Sequence, residues 1–221
     1  MNADNSRGKI LRRIRQAQGR AGSEPTEAEL QAIRRSMREH EIGPLPGIAL
    51  PPDGLTQFRN ECERLGSTCA EALRLEDVPR EVASYLASKQ LEPRVVLWHE
   101  LASLDWAGAG IAIDDRPANG TDRVGVTGCF CAIAETGTVL LLSLPSRPKA
   151  TALLPETHIC IVSKMRLLDT MEEAFARIRN EVGEPPRATY FVSGPSRTAD
   201  IEQTIVVGAH GPYRVHVVLV P

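Results

Sequence analysis

Residues 128–143 read GCFCAIAETGTVLLLS, two short apolar runs separated by a glycine-bearing turn. Runs of this length without polar alternation fit strands covered on both faces. The link at Thr136-Gly137-Thr138 is hairpin-short, so Val139–Ser143 is expected to run antiparallel to Gly128–Ala134. Outward from this hairpin, Arg94-Val95-Val96-Leu97-Trp98 reads as another buried strand, and Gly110–Ile113, His158–Ser163, Ala188–Ser193 and Val215–Val220 complete the strand set, with a short one at Cys69–Leu73. Helical spacing recurs at Thr56–Leu65, Val82–Leu91 and Thr170–Asn180, and again from Thr198 onward, where Thr198 is placed as an N-cap. Strands alternating with helices predict an α/β fold with a mixed, largely parallel sheet flanked by helices.

Ahead of this region lies an N-terminal helical arm. Ile10, Leu11, Ile14 and Ala17 recur at helical spacing among Arg12, Arg13 and Arg15, and Thr26 with Glu29 has the spacing of a capping box that opens a second helix ending near His40. The first 40 residues hold nine Lys/Arg against five acids, a bias read as a solvated basic face rather than a nucleic-acid surface. Gly43-Pro44-Leu45-Pro46-Gly47 and Pro51-Pro52-Asp53-Gly54 disfavour both helix and ladder. The expected domains are therefore residues 1–42, the arm, and residues 55–221, the α/β unit.

With 42% apolar and 24% charged residues the composition is that of a soluble globular chain, and a net charge of −2 provides no general attraction to nucleic acid or anionic lipid. No apolar run approaches the roughly 18 residues of a membrane span. Five cysteines without dense spacing, and no apolar stretch of the signal-peptide type at the start, give a cytoplasmic expectation. Neither the cysteines nor the histidines show metal-ligand spacing, so no metal and no cofactor are expected; Cys129 and Cys131 are placed on one face of a strand as core residues.

Two glycine-bracketed segments stand out as candidate functional elements, Ala134–Thr138 and Ser193–Pro212, placed at the carboxyl edge of one sheet. Glu135, with Thr136 and Gly137, sits between an apolar strand and a tight turn, where a carboxylate serves either as a nucleophile or as a cap for turn amides. Ser193, Gly194, Ser196, Arg197 and Thr198 lead into the predicted helix, whose amino end would attract an anion, while Asp200 and Glu202 in its first turn would repel one or simply satisfy the dipole. Arg197, aided by Arg147, would then supply the charge. His210, on the loop Gly208–Pro212, has the chemistry of a general acid or base, or of a backbone-bonded loop histidine. The phosphate loop, dinucleotide fingerprint and nucleophile-elbow motifs are missing.

The stretches GVTGCFCAIAETGTVLLLS (125–143) and SGPSRTADIEQTIVVGAHGP (193–212) resemble the two signatures of the lactate utilization protein C family, and Pro155, His158–Val162, the start SRGKILRRIR (6–15) and the closing strand agree with it. The resemblance implies a fold similar to the superfamily of ribose-phosphate isomerase, CoA-transferase and 5-formyltetrahydrofolate cyclo-ligase. It also implies a cluster-free subunit that acts with two iron-sulfur proteins in oxidising L-lactate to pyruvate, with a small anionic metabolite bound by the two segments. Glu135 in AETGT is similar to the acidic residue beside glycine that some CoA-transferases use as nucleophile. The alternative implied is therefore an independent acyl- or CoA-transfer enzyme using Glu135.

Overall fold

The computed structural model describes residues 3–20, 24–39, 43, 53–184, 186–199 and 205–221. The chain forms two compact units, Met1–Ile48 and Ala49–Pro221. In the first, α1 (Ala3–Ala17) and α2 (Glu27–Glu39) are the two expected helices. Thr26 and Glu29 form the reciprocal cap: the Thr26 N–H donates to Glu29 Oε2 at 2.9 Å and the Glu29 N–H donates to Thr26 Oγ1 at 3.3 Å.

The second unit runs α3 (Gly54–Arg64), β1 (Thr68–Glu71), α4 (Val78–Ser88), β2 (Arg94–Leu97), β3 (Ala112–Asp114), β4 (Val124–Thr127), β5 (Cys131–Ile133), β6 (Thr138–Leu142), α5 (Ala150–Leu153), β7 (Thr157–Ser163), β8 (Leu167–Leu168), α6 (Met171–Glu181), β9 (Thr189–Val192), β10 (Arg197–Ala199), β11 (Ile205–Val207) and β12 (Arg214–Val220). Six strands, β1-β12-β7-β4-β2-β3, form an all-parallel main sheet. A second sheet, β8-β5-β6-β9, is mixed: β6 lies antiparallel to β5 and β9, and β8 is parallel to β5. The α/β class with a largely parallel sheet is thus realised in two sheets rather than one.

The division falls inside the opening stretch. Of the strand expected over Gly128–Ala134 only Cys131–Ile133 forms one, as β5 of the second sheet; β4 of the main sheet ends just before it at Thr127, and the chain crosses between the sheets at 128–130. Cys129 accordingly lies between strands, not beside Cys131 on one strand face. Burial explains why both sheets read as continuous apolar runs. On β12, Val218 and Val220 face a core with Val78, Val82 and Leu86 of α4, while Val217 and Leu219 face a core with Phe58 and Cys62 of α3 and Ala132, Val139 and Leu141 of the second sheet. On β6, Leu140 and Leu142 turn the other way, onto Ala174 and Ile178 of α6. Strand side chains alternate faces, so a strand sandwiched between two layers is apolar at most positions on both faces. The layers are α4, main sheet, second sheet with α3, then α6.

A further correction concerns the segment after Thr198. No helix starts there; β10 and β11 form an antiparallel hairpin pairing Arg197 with Val207, Thr198 with Val206 and Ala199 with Ile205. Three consecutive β-branched residues at 205–207 favour strand over helix, because their side chains restrict χ1 against the preceding helical turn. Asp200 and Glu202 lie outside the described residues.

Candidate functional site

The two signature segments meet at one end of the second sheet. Because β5 and β9 both run antiparallel to β6, they point the same way, so the turn after β5 and Ser193 after β9 emerge together. Ala134-Glu135-Thr136 is a single 3₁₀ turn closed by Gly137 in the left-handed conformation, φ 57° and ψ 36°. Thr136, Thr138 and Ser193 then form a row of hydroxyls: Thr136 Oγ1 to Thr138 Oγ1 is 2.7 Å, and Thr138 Oγ1 to Ser193 Oγ is 2.6 Å.

Helix α3 crosses this end. A Cβ on Gly137 would stand 2.6 Å from the Cys62 backbone nitrogen, and one on Gly194, whose φ is 87°, would stand 2.8 Å from the Leu65 carbonyl oxygen. Both glycines therefore answer to the close approach of α3 as well as to a turn conformation that side chains disfavour. Arg197 reaches the same place, its Nη2 donating to the Leu65 carbonyl at 2.8 Å. Leu65 caps the carboxyl end of α3, where carbonyls lack helical partners. The guanidinium satisfies one and keeps further N–H donors for another acceptor.

Glu135 is half-buried beneath α6. Its Oε1 accepts the Met171 N–H at 2.9 Å, and its own N–H donates to the Asp169 carbonyl at 3.1 Å. Met171 opens α6, where Thr170 and Glu173 form a capping box. The carboxylate thus satisfies an amide at a helix amino end, where the dipole favours negative charge. Ser196 is held by backbone bonds on both sides: its N–H donates to the Pro212 carbonyl at 2.8 Å, and its carbonyl accepts the Gly208 N–H at 2.8 Å. Thr198 is paired in the hairpin. His210 is exposed on the loop after β11, without a hydrogen-bond partner among the described residues. The structure therefore joins Thr136, Gly137, Thr138, Ser193, Gly194 and Arg197 around the end of α3 and gives no contact between His210 and Glu135.

The position relative to the main sheet differs from the expected one. Pro212 precedes β12 and Leu65 precedes β1, so the cluster lies beside the amino ends of these parallel strands, although it is at the carboxyl ends of β5 and β9. The carboxyl ends of the main sheet carry other residues. The order reverses between β2 and β4, and just beyond them Glu100 pairs with Arg147 at 2.7 Å, with the Arg147 guanidinium 5.8 Å from the centre of the Trp98 ring. Arg147 is therefore not an aid to Arg197. A Cβ on Gly128 would lie 2.8 Å from Glu100 Oε1, so the glycine that ends β4 admits this carboxylate. His99 and Asp115 pair at 2.6 Å on the same edge. Sequence reading missed this group; its one signal was a glycine directly after the apolar strand Val124–Thr127. Among the described residues no group of three or more His, Cys, Asp or Glu is placed to hold a metal ion, and no helix is long and apolar enough to cross a membrane.

A parallel main sheet backed by a second mixed sheet, with two glycine-closed turns meeting under one helix, defines an α/β protein whose signature segments are joined by the fold. The LUD domain family pattern matches residues 100–220, which include both segments. The chain belongs to the LUD domain family. Among its relatives are the lactate utilization protein C of an Exiguobacterium species, 30% identical over 177 residues and covering 75% of this chain and 77% of that protein, and that of Bacillus subtilis, 29% identical over 188 residues and covering 76% and 78%. A crystal structure of a DUF162 family protein from Deinococcus radiodurans superposes with a TM-score of 0.60 at 25% identity, covering 77% of this chain and all of that one.

Proposed function

We propose that this protein is a lactate-utilization subunit that acts with iron-sulfur proteins in oxidising L-lactate to pyruvate, and that it binds a small carboxylate at the hydroxyl row beside Arg197. The observation that carries the role is the match to relatives named lactate utilization protein C across about three quarters of both chains. The carboxylate preference rests on geometry. Arg197 and Gly194 meet at the Leu65 carbonyl, and Gly194 follows Ser193, whose hydroxyl bonds that of Thr138 and through it Thr136. A guanidinium with several free donors binds carboxylates in a forked geometry, and hydroxyls both donate to and accept from a 2-hydroxy or 2-oxo group.

A transferase using Glu135 as nucleophile has less support, because that carboxylate already accepts an amide of α6. The discriminating experiment is a thermal-shift titration with L-lactate, pyruvate and a CoA thioester. Lactate or pyruvate should raise the melting temperature of the wild type and fail to do so for Arg197→Gln. Stabilisation by the thioester alone, with covalent labelling of Glu135, would establish the transferase instead.

A further inference from the structure

The net charge of −2 conceals an uneven placement. Between Ser6 and Arg20 stand six basic residues, Arg7, Lys9, Arg12, Arg13, Arg15 and Arg20, and no acid. Arg20 pairs with Glu29 of α2 at 2.7 Å. The other five all lie on α1 and make no ion pair among the described side chains. The apolar residues of the same helix are left in solvent. No described side chain of the first unit is buried. Ile10, Leu11 and Ile14 are 60%, 40% and 46% exposed, and Ile33 and Met37 of α2 are 53% and 70% exposed.

The two sets of residues are arranged around one axis. At 3.6 residues per turn Ile10, Ile14 and Ala17 fall along one line of α1, with Leu11 at its border. Arg7 falls on the same face a turn earlier, where its aliphatic stem lengthens the apolar stripe while its guanidinium reaches past it. Arg13 and Arg15 border the stripe on opposite sides, and Lys9 and Arg12 lie behind it. A second copy packed helix against helix would set five cations against five, so charge opposes that occupant. A protein groove reads a helix through large anchors along one line. This helix has no aromatic anchor, and its cations stand on both borders and at the back. Cations on all sides of a short aliphatic stripe match a flat, uniformly negative surface with an apolar layer beneath it.

We propose that α1 is an interfacial helix that docks on anionic phospholipid, with Ile10, Leu11 and Ile14 entering the upper acyl region and Arg7, Arg13 and Arg15 meeting the headgroup phosphates. Lys9 and Arg12 face away from the lipid yet stay within a Debye length of its surface, so they add to the attraction. The apolar stripe is small, so attachment is reversible and needs the aliphatic contact and the charge together. Attachment of this kind is independent of the carboxylate site. It also differs from spanning a membrane, because the helix lies in the plane of the headgroups.

The test is sedimentation of the full-length protein with vesicles of phosphatidylcholine alone and with vesicles in which about 30% is replaced by phosphatidylglycerol, at about 50 mM salt. The protein should partition onto the anionic vesicles at least about tenfold more strongly than onto the neutral ones, and about 500 mM salt should weaken that binding by about tenfold or more. Ile10→Glu combined with Ile14→Glu, and separately Arg13→Gln combined with Arg15→Gln, should each weaken it by about tenfold or more. All four positions are exposed, so the melting temperature of the variants should match that of the wild type. Equal partition onto the two kinds of vesicle, no binding to anionic vesicles at low salt, or binding that survives the two glutamates would each overturn the proposal. An arm that instead serves an acidic protein groove gives the second of these results. The wild-type comparison between vesicles decides the matter even if a variant fails to fold.

Discussion

His158 and His216 show what single buried residues contribute. His158 on β7 is fully enclosed, sharing a hydrogen bond of 2.8 Å between its Nε2 and Thr127 Oγ1, and burial pushes its imidazole down to about 4. His216 on β12 stacks on Tyr85 at 4.0 Å, bonds Thr68 through Nδ1 at 2.8 Å, and is likewise lowered to about 4, chiefly by burial. Above the unfolded value of about 6.5 both states are neutral and this stabilisation is complete. Between about 6.5 and about 4 the unfolded chain binds protons that the folded one does not, so stability falls with pH by about 1.4 kcal/mol per unit for each histidine. Melting curves at pH 7 and pH 5 should therefore differ by several degrees, and His158→Gln should flatten the slope. A wild-type melting temperature unchanged across that interval would contradict the burial of both rings as neutral groups.

At the scale of elements, the turn after β5 and the start of α6 form one unit joined through Glu135. Glu135→Ala removes the acceptor of the Met171 N–H and should cost about 1 kcal/mol, whereas Glu135→Gln keeps an oxygen there and should change stability by less than about 0.5 kcal/mol. Denaturant melts of both variants, with growth on lactate as the second readout, check this. Loss of growth by Glu135→Gln at unchanged stability would return the carboxylate to chemistry. Much of this level was legible in the sequence. The hairpin link at Gly137, the apolar run Arg94–Trp98 and the helical spacing from Thr170 each carry their own local chemistry. The hairpin at 197–207 was misread because Thr198 and the acids after it look like a helix start, while the decisive signal was the β-branched run Ile205-Val206-Val207. The change of sheet at 128–130 was not legible, because strands of two stacked sheets are equally apolar when both faces of each are covered. For the site, the sequence singled out the two glycine segments. It did not show that α3 brings them together, since the contacts of Gly137 with Cys62 and of Gly194 with Leu65 are tertiary.

At the scale of the molecule, α3 relates the separate parts. It covers the end of the second sheet, contributes Phe58 and Cys62 to the core shared by both sheets, and offers the Leu65 carbonyl to Arg197. Family membership, the joined signature segments and the guanidinium of Arg197 at the end of α3 support one account, a lactate-utilization subunit with a carboxylate site. The most direct measurement is growth of a clean deletion strain on L-lactate as sole carbon source, with complementation by the wild type and Arg197→Gln, and recovery of the tagged wild type from lactate-grown cells. The account predicts that the deletion fails on lactate yet grows on pyruvate, that the wild type restores growth and copurifies with iron-sulfur proteins, and that Arg197→Gln restores it poorly. Normal growth of the deletion on lactate, in a strain with no second lactate-oxidising route, would contradict it.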